Sequence, residues 1–508
     1  MLTVAAAGTR SAGRRRWPSL LVFPGADVRK SSAVTAAGGH EFDPLLTYLR
    51  NVEEYGAHDV FLLESKGGPA ADSRETVIGI LGPLFIGIRE DLVTVEAPEE
   101  LRNTIEATLT RCDVMDADGR VRNRDSVWRI PELIFADLEF DATPEGFNGF
   151  FVNIGYDGVF YAEDMARRIP ADADTGYDIE YRVVISTMRV PADGRAMTVS
   201  SISGPHWQYR PVIPAFGPPA SEPQRDSVPE FTFHDEMTRS EFISKVEICK
   251  DHIRAGDIYQ VQIGHKIDIR SPIHPVEVYR RLRQRNPSPY MAIAPVFGGL
   301  MLVASPELFV RKEGARAAMR PIAGTVRKTA GTTRESAHAT LLADEKECAE
   351  HIMLVDLCRN DLGRVAEYGS LCVPELMVCE EYSHLYHMVS EVQVAVRKPF
   401  DVYDAIEATF PAGTVTGAPK VRAMEIIEEL ELSRREYYAG AFGLVPFTGD
   451  CVLGLSIRMM QYREGTYTVR ASAGIVADSD PSNEWRETLT KMSATFWAIT
   501  GEELLDHA

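Results

Sequence analysis

The stretch DEKECAEHIMLVDLCRNDLGRV, residues 344–365, carries the pattern around which the rest of the chain is arranged. Asp344 followed three residues later by Glu347 predicts a capping box, and Cys348, Ile352 and Val355 recur at helical spacing, so a helix is expected over 344–358. On it Glu347, Glu350, His351 and Leu354 stand three and four positions apart, which puts two carboxylates on one face. Like charges side by side cost stability unless a cation lies between or beyond them. A second pair stands near the C-terminus. There Asp480-Pro481 opens a helix expected over 482–498, with Glu484, Glu487 and Lys491 on one of its faces. Four carboxylates with no neighbouring Cys or His pattern suit a hard, oxygen-seeking cation. Mg2+ fits better than Zn2+, because it keeps several waters and takes only one or two carboxylates directly. Taken singly, each pair reads more plainly as a solvated helix face. What lies between the two helices overturns that reading.

Working outward, 508 residues suffice for two domains or one large composite one. A net charge of −20 argues against a general nucleic-acid binder and against docking on an anionic membrane, and no apolar run approaches the length of a membrane span. The stretch up to Ala26 holds Arg10, Arg14, Arg15 and Arg16 and no acid, but Leu20–Phe23 is too short for a signal core. A disordered start over 1–40 is expected. Seven cysteines without CxxC spacing read as free thiols in a reducing, cytoplasmic setting.

In chain order, a helix is expected over 43–55, strands at 59–65 and 76–81, and glycine- and aromatic-rich strands over 146–164. Paired strands are expected at 181–187 and 195–203. An N-terminal region thus spans 41–203, and the seven prolines of 204–230 mark a linker, taken as 204–234. The second region, 235–500, opens with a helix capped by Ser240 and ended by Gly256. Strands follow at 258–269, 290–296, 299–304 and 307–312, then helices at 401–408 and 418–431, then strands at 439–447, 451–461 and 466–477. Strands with inserted helices and no βαβ repeat make the class α+β.

The segments PIAGT (321–325), HMVSEV (387–392), FPAGTVTGAPK (410–420), YAGAFG (438–443) and ADSDPSNEWRETLTK (477–491) fall in one order with the acidic helix. Together they resemble the chorismate-utilising enzymes, and among these the large subunit of anthranilate synthase, over roughly residues 235–495. The resemblance implies two antiparallel sheets packed as a sandwich, with helices outside and a cleft for chorismate. It implies one Mg2+ held directly by Glu350 and Glu487 and through water by Glu347 and Glu484. Glu307 matches the general acid for the departing ring hydroxyl, a role that needs a raised pKa. Arg458 and Tyr438 match the grip on the enolpyruvyl carboxylate, and Arg suits such bidentate binding. Read from the residues alone, Arg458 paired with an internal acid stays open. Thr414, Ala473 and Gly474 match further substrate contacts, Lys491 the lysine beside the metal, and Thr325 closes the PIAGT segment of the catalytic set. His387 matches the histidine associated with the elimination half of the reaction.

Two positions bear on the nucleophile. Family members that add water place a Lys base where Gln260 stands, and Gln cannot deprotonate water, whereas ammonia needs no base. Members that aminate C4 carry a Lys where Ala323 stands. Both point to amination at C2, giving aminodeoxyisochorismate, and then anthranilate by loss of pyruvate. None of the cysteines sits in a GxCxG elbow, so a separate glutamine amidotransferase subunit is implied as the ammonia source. LLES (62–65), ending in Ser65, and NPSPYM (286–291), with Pro287, Ser288, Pro289, Tyr290 and Met291, resemble the segments that bind tryptophan as inhibitor. Two departures from the family pattern stand out. Val326 replaces the usual Arg after PIAGT, and Ser472 replaces a glycine in the usual AGAG. They keep open an enzyme of secondary metabolism that stops at aminodeoxyisochorismate. A catalytically inactive regulatory or scaffold subunit of the same fold is the reading from another class, and the full acidic set speaks against it.

Overall fold

Two long strands, Glu75–Arg89 and Ile179–Pro191, hold the architecture together. The computed structural model describes residues 33–34, 42–69, 72, 75–140, 148–171, 175–192, 197–207, 210, 212–213 and 230–507. The expected disordered N-terminus, apart from 33–34, and the Pro-rich stretch 214–229 lie outside the described residues. Among the described strands every pairing is antiparallel. The class is α+β, as expected.

The two expected sheets are joined by hydrogen bonds into one continuous sheet. One arm runs from Gln260–Arg270 through Thr466–Ile475, Met459–Arg463, Gly299–Ser305, Tyr290–Val296 and Val60–Glu64 to Glu75–Arg89. The other runs from Ile179–Pro191 through Gly149–Ile154, Ala441–Pro446, Cys451–Leu455, Leu308–Glu313 and Arg316–Arg320 to Leu385–Ala395. The register between the two long strands shifts at Ile80–Leu81 and Leu81–Phe85. Such irregularities bend a strand and increase its twist, which lets the sheet turn back on itself. One large apolar core then draws Ile293 and Leu302 from one arm and Phe309, Val310 and Leu453 from the other, with smaller apolar clusters beside it.

Several expectations change in detail. The Ser240 cap is in fact Thr238, whose capping box with Glu241 opens the helix Arg239–Ala255. Of the stretch 146–164, the described residues 148–164 form a strand only over Gly149–Ile154, and a 3-10 turn and the short helix Val159–Ala162 follow. The Pro-rich stretch ends before 234, because Thr232–Asp235 already pairs with Gln260–Arg270. The single strand expected over 451–461 is broken by Arg458, which has φ +52°. On the acidic helix Glu345–Gly363 the buried face is His351, Leu354, Val355, Cys358 and Leu362, whereas Ile352 is 41% exposed. The apolar stripe lies one position away from the one the periodicity pointed to.

Candidate active site

The acidic helix packs on the strands Ile322–Arg327 and Leu385–Ala395, and the helix Pro481–Thr500 packs on Thr466–Ile475. Asp344 accepts from the N–H groups of Lys346 and Glu347, but the Glu347 side chain does not close the expected box. It is left to face the cleft. Burial and the negative charges of Glu347, Glu487 and Glu484 push the Glu350 carboxyl up to about 7. Glu347 and Glu484 are raised too, by burial first and then by neighbouring acids. Glu487 alone lies below the usual range, because its burial is outweighed by the Lys491 ammonium 2.6 Å away together with the charges of Arg458 and Lys346. Lys346 lies 3.8 Å from Glu350. Among the described residues no three His, Cys, Asp or Glu side chains close on one point tightly enough to chelate an ion. The chemistry of the set nonetheless fits a cation: oxygen donors only, in excess negative charge, with two ammonium groups drawn onto them.

Glu307 sits in the gap between the strands Gly299–Ser305 and Leu308–Glu313. Its N–H donates to Ser305 Oγ at 3.3 Å, and its carbonyl accepts from Leu455 N–H at 3.0 Å. The side chain is buried, and burial pushes its carboxyl up to about 8, against the pull of the Thr414 hydroxyl and the Lys491 charge. Thr414 Oγ1 is itself buried and completes no hydrogen bond of normal geometry among the described residues. Glu307 is therefore a protonated acid at neutral pH.

His387 lies across the strand pair from Thr325, with Nδ1 3.0 Å from Thr325 Oγ1 and 3.3 Å from Gly324 O. The Tyr382 ring meets it edge-on at 5.0 Å. Burial, with a small push from Arg458, lowers the imidazole to about 4, so it is neutral at pH 7. Gly324 turns through φ +78°, and a Cβ there would stand 3.3 Å from Glu347 Oε2. Ala323 pairs with Met388 on the same ladder.

Arg458 Nη1 donates to the Lys491 carbonyl at 2.6 Å. No carboxylate among the described residues pairs with its guanidinium, so the internal-acid alternative does not hold. Burial lowers its pKa, and Tyr438 and Glu487 only partly offset this. A half-buried Arg without an acid partner is costly and suits an anion arriving from outside. Nearby, Tyr438 Oη and Ser472 Oγ are 2.8 Å apart, and Lys491 Nζ donates to the Ser472 carbonyl at 2.9 Å. Gln260 is buried with Oε1 unpartnered, and a Cβ on Gly474 would stand 2.9 Å from its Nε2. Ala473 is fully buried and pairs with Ile263.

Ser65, Pro289, Tyr290 and Met291 line a separate cavity of about 370 Å3, together with Glu64, Asp72 and Phe442. Pro287 and Ser288 stand outside it. Their carbonyls accept from Ser383 Oγ at 3.2 Å and Lys66 N–H at 2.9 Å, which fixes the turn. Sequence reasoning missed Asp72, Tyr382 and Arg320, which sit in one buried polar network. Tyr290 donates to Asp72 at 2.8 Å, and Arg320 binds Asp72, Glu380 and Glu391. No local pattern marks these residues, because their partners are distant in the chain.

The family described as chorismate binding enzyme matches residues 111–496. The chain belongs to that family. A 2-amino-4-deoxychorismate synthase from Streptomyces globisporus is 43% identical over 479 residues, covering 92% of this chain and 96% of that one. Anthranilate synthase component 1 from Thermus thermophilus is 34% identical, covering 90% of this chain and 95% of its own. The crystal structure of anthranilate synthase component I from Streptococcus pneumoniae superposes with TM-score 0.66 at 29% identity, covering 83% of this chain and 92% of that one. The expected resemblance to anthranilate synthase component 1 thus holds across most of the chain. As for membranes, no described helix is long and apolar enough to cross one.

Proposed function

We propose that this chain aminates chorismate at C2 with ammonia and releases the aminated product with its enolpyruvyl arm attached. The observation that carries the reading is Glu307, a buried carboxylic acid that burial pushes up to about 8 against the through-space pull of Lys491. Ammonia adds to C2, the ring diene shifts, and the C4 hydroxyl leaves as water with the proton of Glu307. The amine's extra proton returns to solvent or to Glu307. Arg458 and Tyr438 grip the arm carboxylate, and Thr414 is a further substrate contact. Glu350 and Glu487, with Glu347 and Glu484 through water, would hold Mg2+, which supplies the counter-charge to the ring carboxylate when bound.

The sequence alone put anthranilate first. The full-length similarity to a 2-amino-4-deoxychorismate synthase moves the proposal one step earlier, since that name describes an amino group at C2 and a lost C4 hydroxyl. Anthranilate remains the second reading, in tryptophan biosynthesis. Neutral His387 facing the cleft favours it, because it can accept the C2 proton whose loss starts pyruvate elimination. In either case the reading has ammonia delivered by a separate glutamine amidotransferase subunit in the cytoplasm, and the 370 Å3 cavity takes tryptophan as an inhibitor.

Purified chain with chorismate, Mg2+ and excess ammonium tests this, with products identified by mass and fluorescence. Chorismate plus 17 − 18 mass units, as net replacement of OH by NH2 requires, with no pyruvate, is expected on the order of stoichiometric yield. Stoichiometric anthranilate and pyruvate move the chain to the second reading, and no turnover rejects both.

A further inference from the structure

The Tyr438–Ser472 contact carries a consequence for the product. Ser472 is 3% exposed on the strand Thr466–Ile475, where it shares a face with Gly474 and stands opposite Gly264. Its Oγ is 2.8 Å from Tyr438 Oη, and either atom can be the donor. A phenol has one proton to give. If Tyr438 gives it to Ser472, the phenol oxygen has only lone pairs left to offer. If Ser472 donates instead, the Tyr438 proton is free to point outward beside Arg458. An anionic carboxylate arriving at Arg458 selects the second arrangement, because anions are held by donors.

The backbone around this pair is fixed. The Ser472 carbonyl accepts from Lys491 Nζ at 2.9 Å, and the Lys491 carbonyl accepts from Arg458 Nη1 at 2.6 Å. Tyr438 N–H donates to Arg435 O at 3.0 Å, and Ala439 holds a left-handed φ of +64°. With both ends anchored, the Ser472 hydroxyl is held where it can donate to Tyr438 Oη and leave the phenol proton to an arriving carboxylate.

We propose that Ser472 is a positioning residue that sets the product: it turns the Tyr438 proton onto the enolpyruvyl carboxylate and so retains the arm. The inference rests on the C2-amination reading. Pyruvate loss requires a base to take the C2 proton while that electron pair forms the C2–C3 π bond. The C3–O bond breaks in the same step, its electron pair leaving on oxygen, and the departing enolpyruvate takes a proton on its methylene carbon to become pyruvate. The C3–O bond must stand across the ring plane for this overlap. An arm carboxylate gripped by both Arg458 and an oriented Tyr438 proton resists the swing that would bring it there.

The test measures the ratio of anthranilate plus pyruvate to intact aminated product. It uses the unaltered chain and Ser472→Gly, Ser472→Ala and Ser472→Thr, each checked by thermal melting. The ratio should rise about tenfold or more in the Gly and Ala variants, with KM for chorismate up about threefold to tenfold, and return with Thr. On a Tyr438→Phe background Ser472→Ala should change nothing, because the partner hydroxyl is gone. An unchanged ratio in folded Gly and Ala variants overturns the inference. So does an Ala effect that persists without the Tyr438 hydroxyl, or an unaltered chain that yields pyruvate one-to-one with chorismate consumed. An unaltered chain that makes no C2-aminated compound at all rejects the underlying reading as well, which separates the two failures.

Discussion

Glu307 and Glu431 are equally buried, each 6% exposed, yet they lie on opposite sides of neutrality. Glu431 accepts from Arg435, from Arg470 and from Gly264 N–H, and these contacts hold its carboxyl below the usual range despite burial. Glu307 has no cation in contact, and burial pushes it up to about 8. Burial sets the cost of a charge, and the partners decide whether the charge is kept. The first site is a brace. It ties the turn after the helix Lys420–Leu430 to the strands Gln260–Arg270 and Thr466–Ile475. The second is a reacting group, left uncompensated because a compensated carboxylate cannot donate a proton. The two regions adjoin on one strand, where Arg470 serves the brace and Ser472 the cleft two residues later.

That contrast can be broken most directly at its two ends. Glu307→Gln should lower kcat with ammonium by about a thousandfold or more while leaving the melting temperature unchanged or higher. Steady-state assays and thermal melts on one preparation check both halves. Glu431→Gln should do the reverse. It strands Arg435 and Arg470, and urea titration should show about 3–5 kcal/mol less stability. Equal losses of stability in the two variants would erase the distinction.

Glu350→Gln sharpens the comparison from the side of the cation. The Mg2+ concentration for half-maximal turnover should rise about a hundredfold, and EDTA should abolish turnover of the unaltered chain. The pH dependence follows from the signs of the shifts. Glu307 works in its protonated form, so turnover should fall as pH rises through about 8. Its folded-state pKa is raised, so its contribution to stability is full below the ordinary value of 4.5 and is lost as pH rises through about 8. Glu431 is depressed, so its contribution is present at neutral pH and is lost on acidification. A pH–rate profile and unfolding at several pH values read these separately. The smallest effect is expected at Thr414→Val. Without the hydroxyl the alkaline limb should move up by roughly half a pH unit, about 0.7 kcal/mol.

Much of this was legible along the chain. The acidic helices were readable because carboxylates at three- and four-residue spacing declare a shared face, and both helices formed with Asp344 and Asp480 as their caps. The segment order from PIAGT to the second helix identified the family and its α+β class. The period of a helix gives its faces only to within a residue, which is why Ile352 lies outside when Val355 lies inside. The strand over 451–461 looked continuous because apolar alternation does not reveal a left-handed residue such as Arg458.

By itself, then, the sequence determined which residues carry charge, where helices begin and what chemistry the carboxylates suit, since these depend on neighbours a few positions away. Only the tertiary structure decided which buried acid stays protonated, that Arg458 has no acid partner, and that Ser472 meets Tyr438 across 34 residues of chain. Those outcomes depend on burial and on contacts between distant strands, and electrostatics at such range is set by the fold.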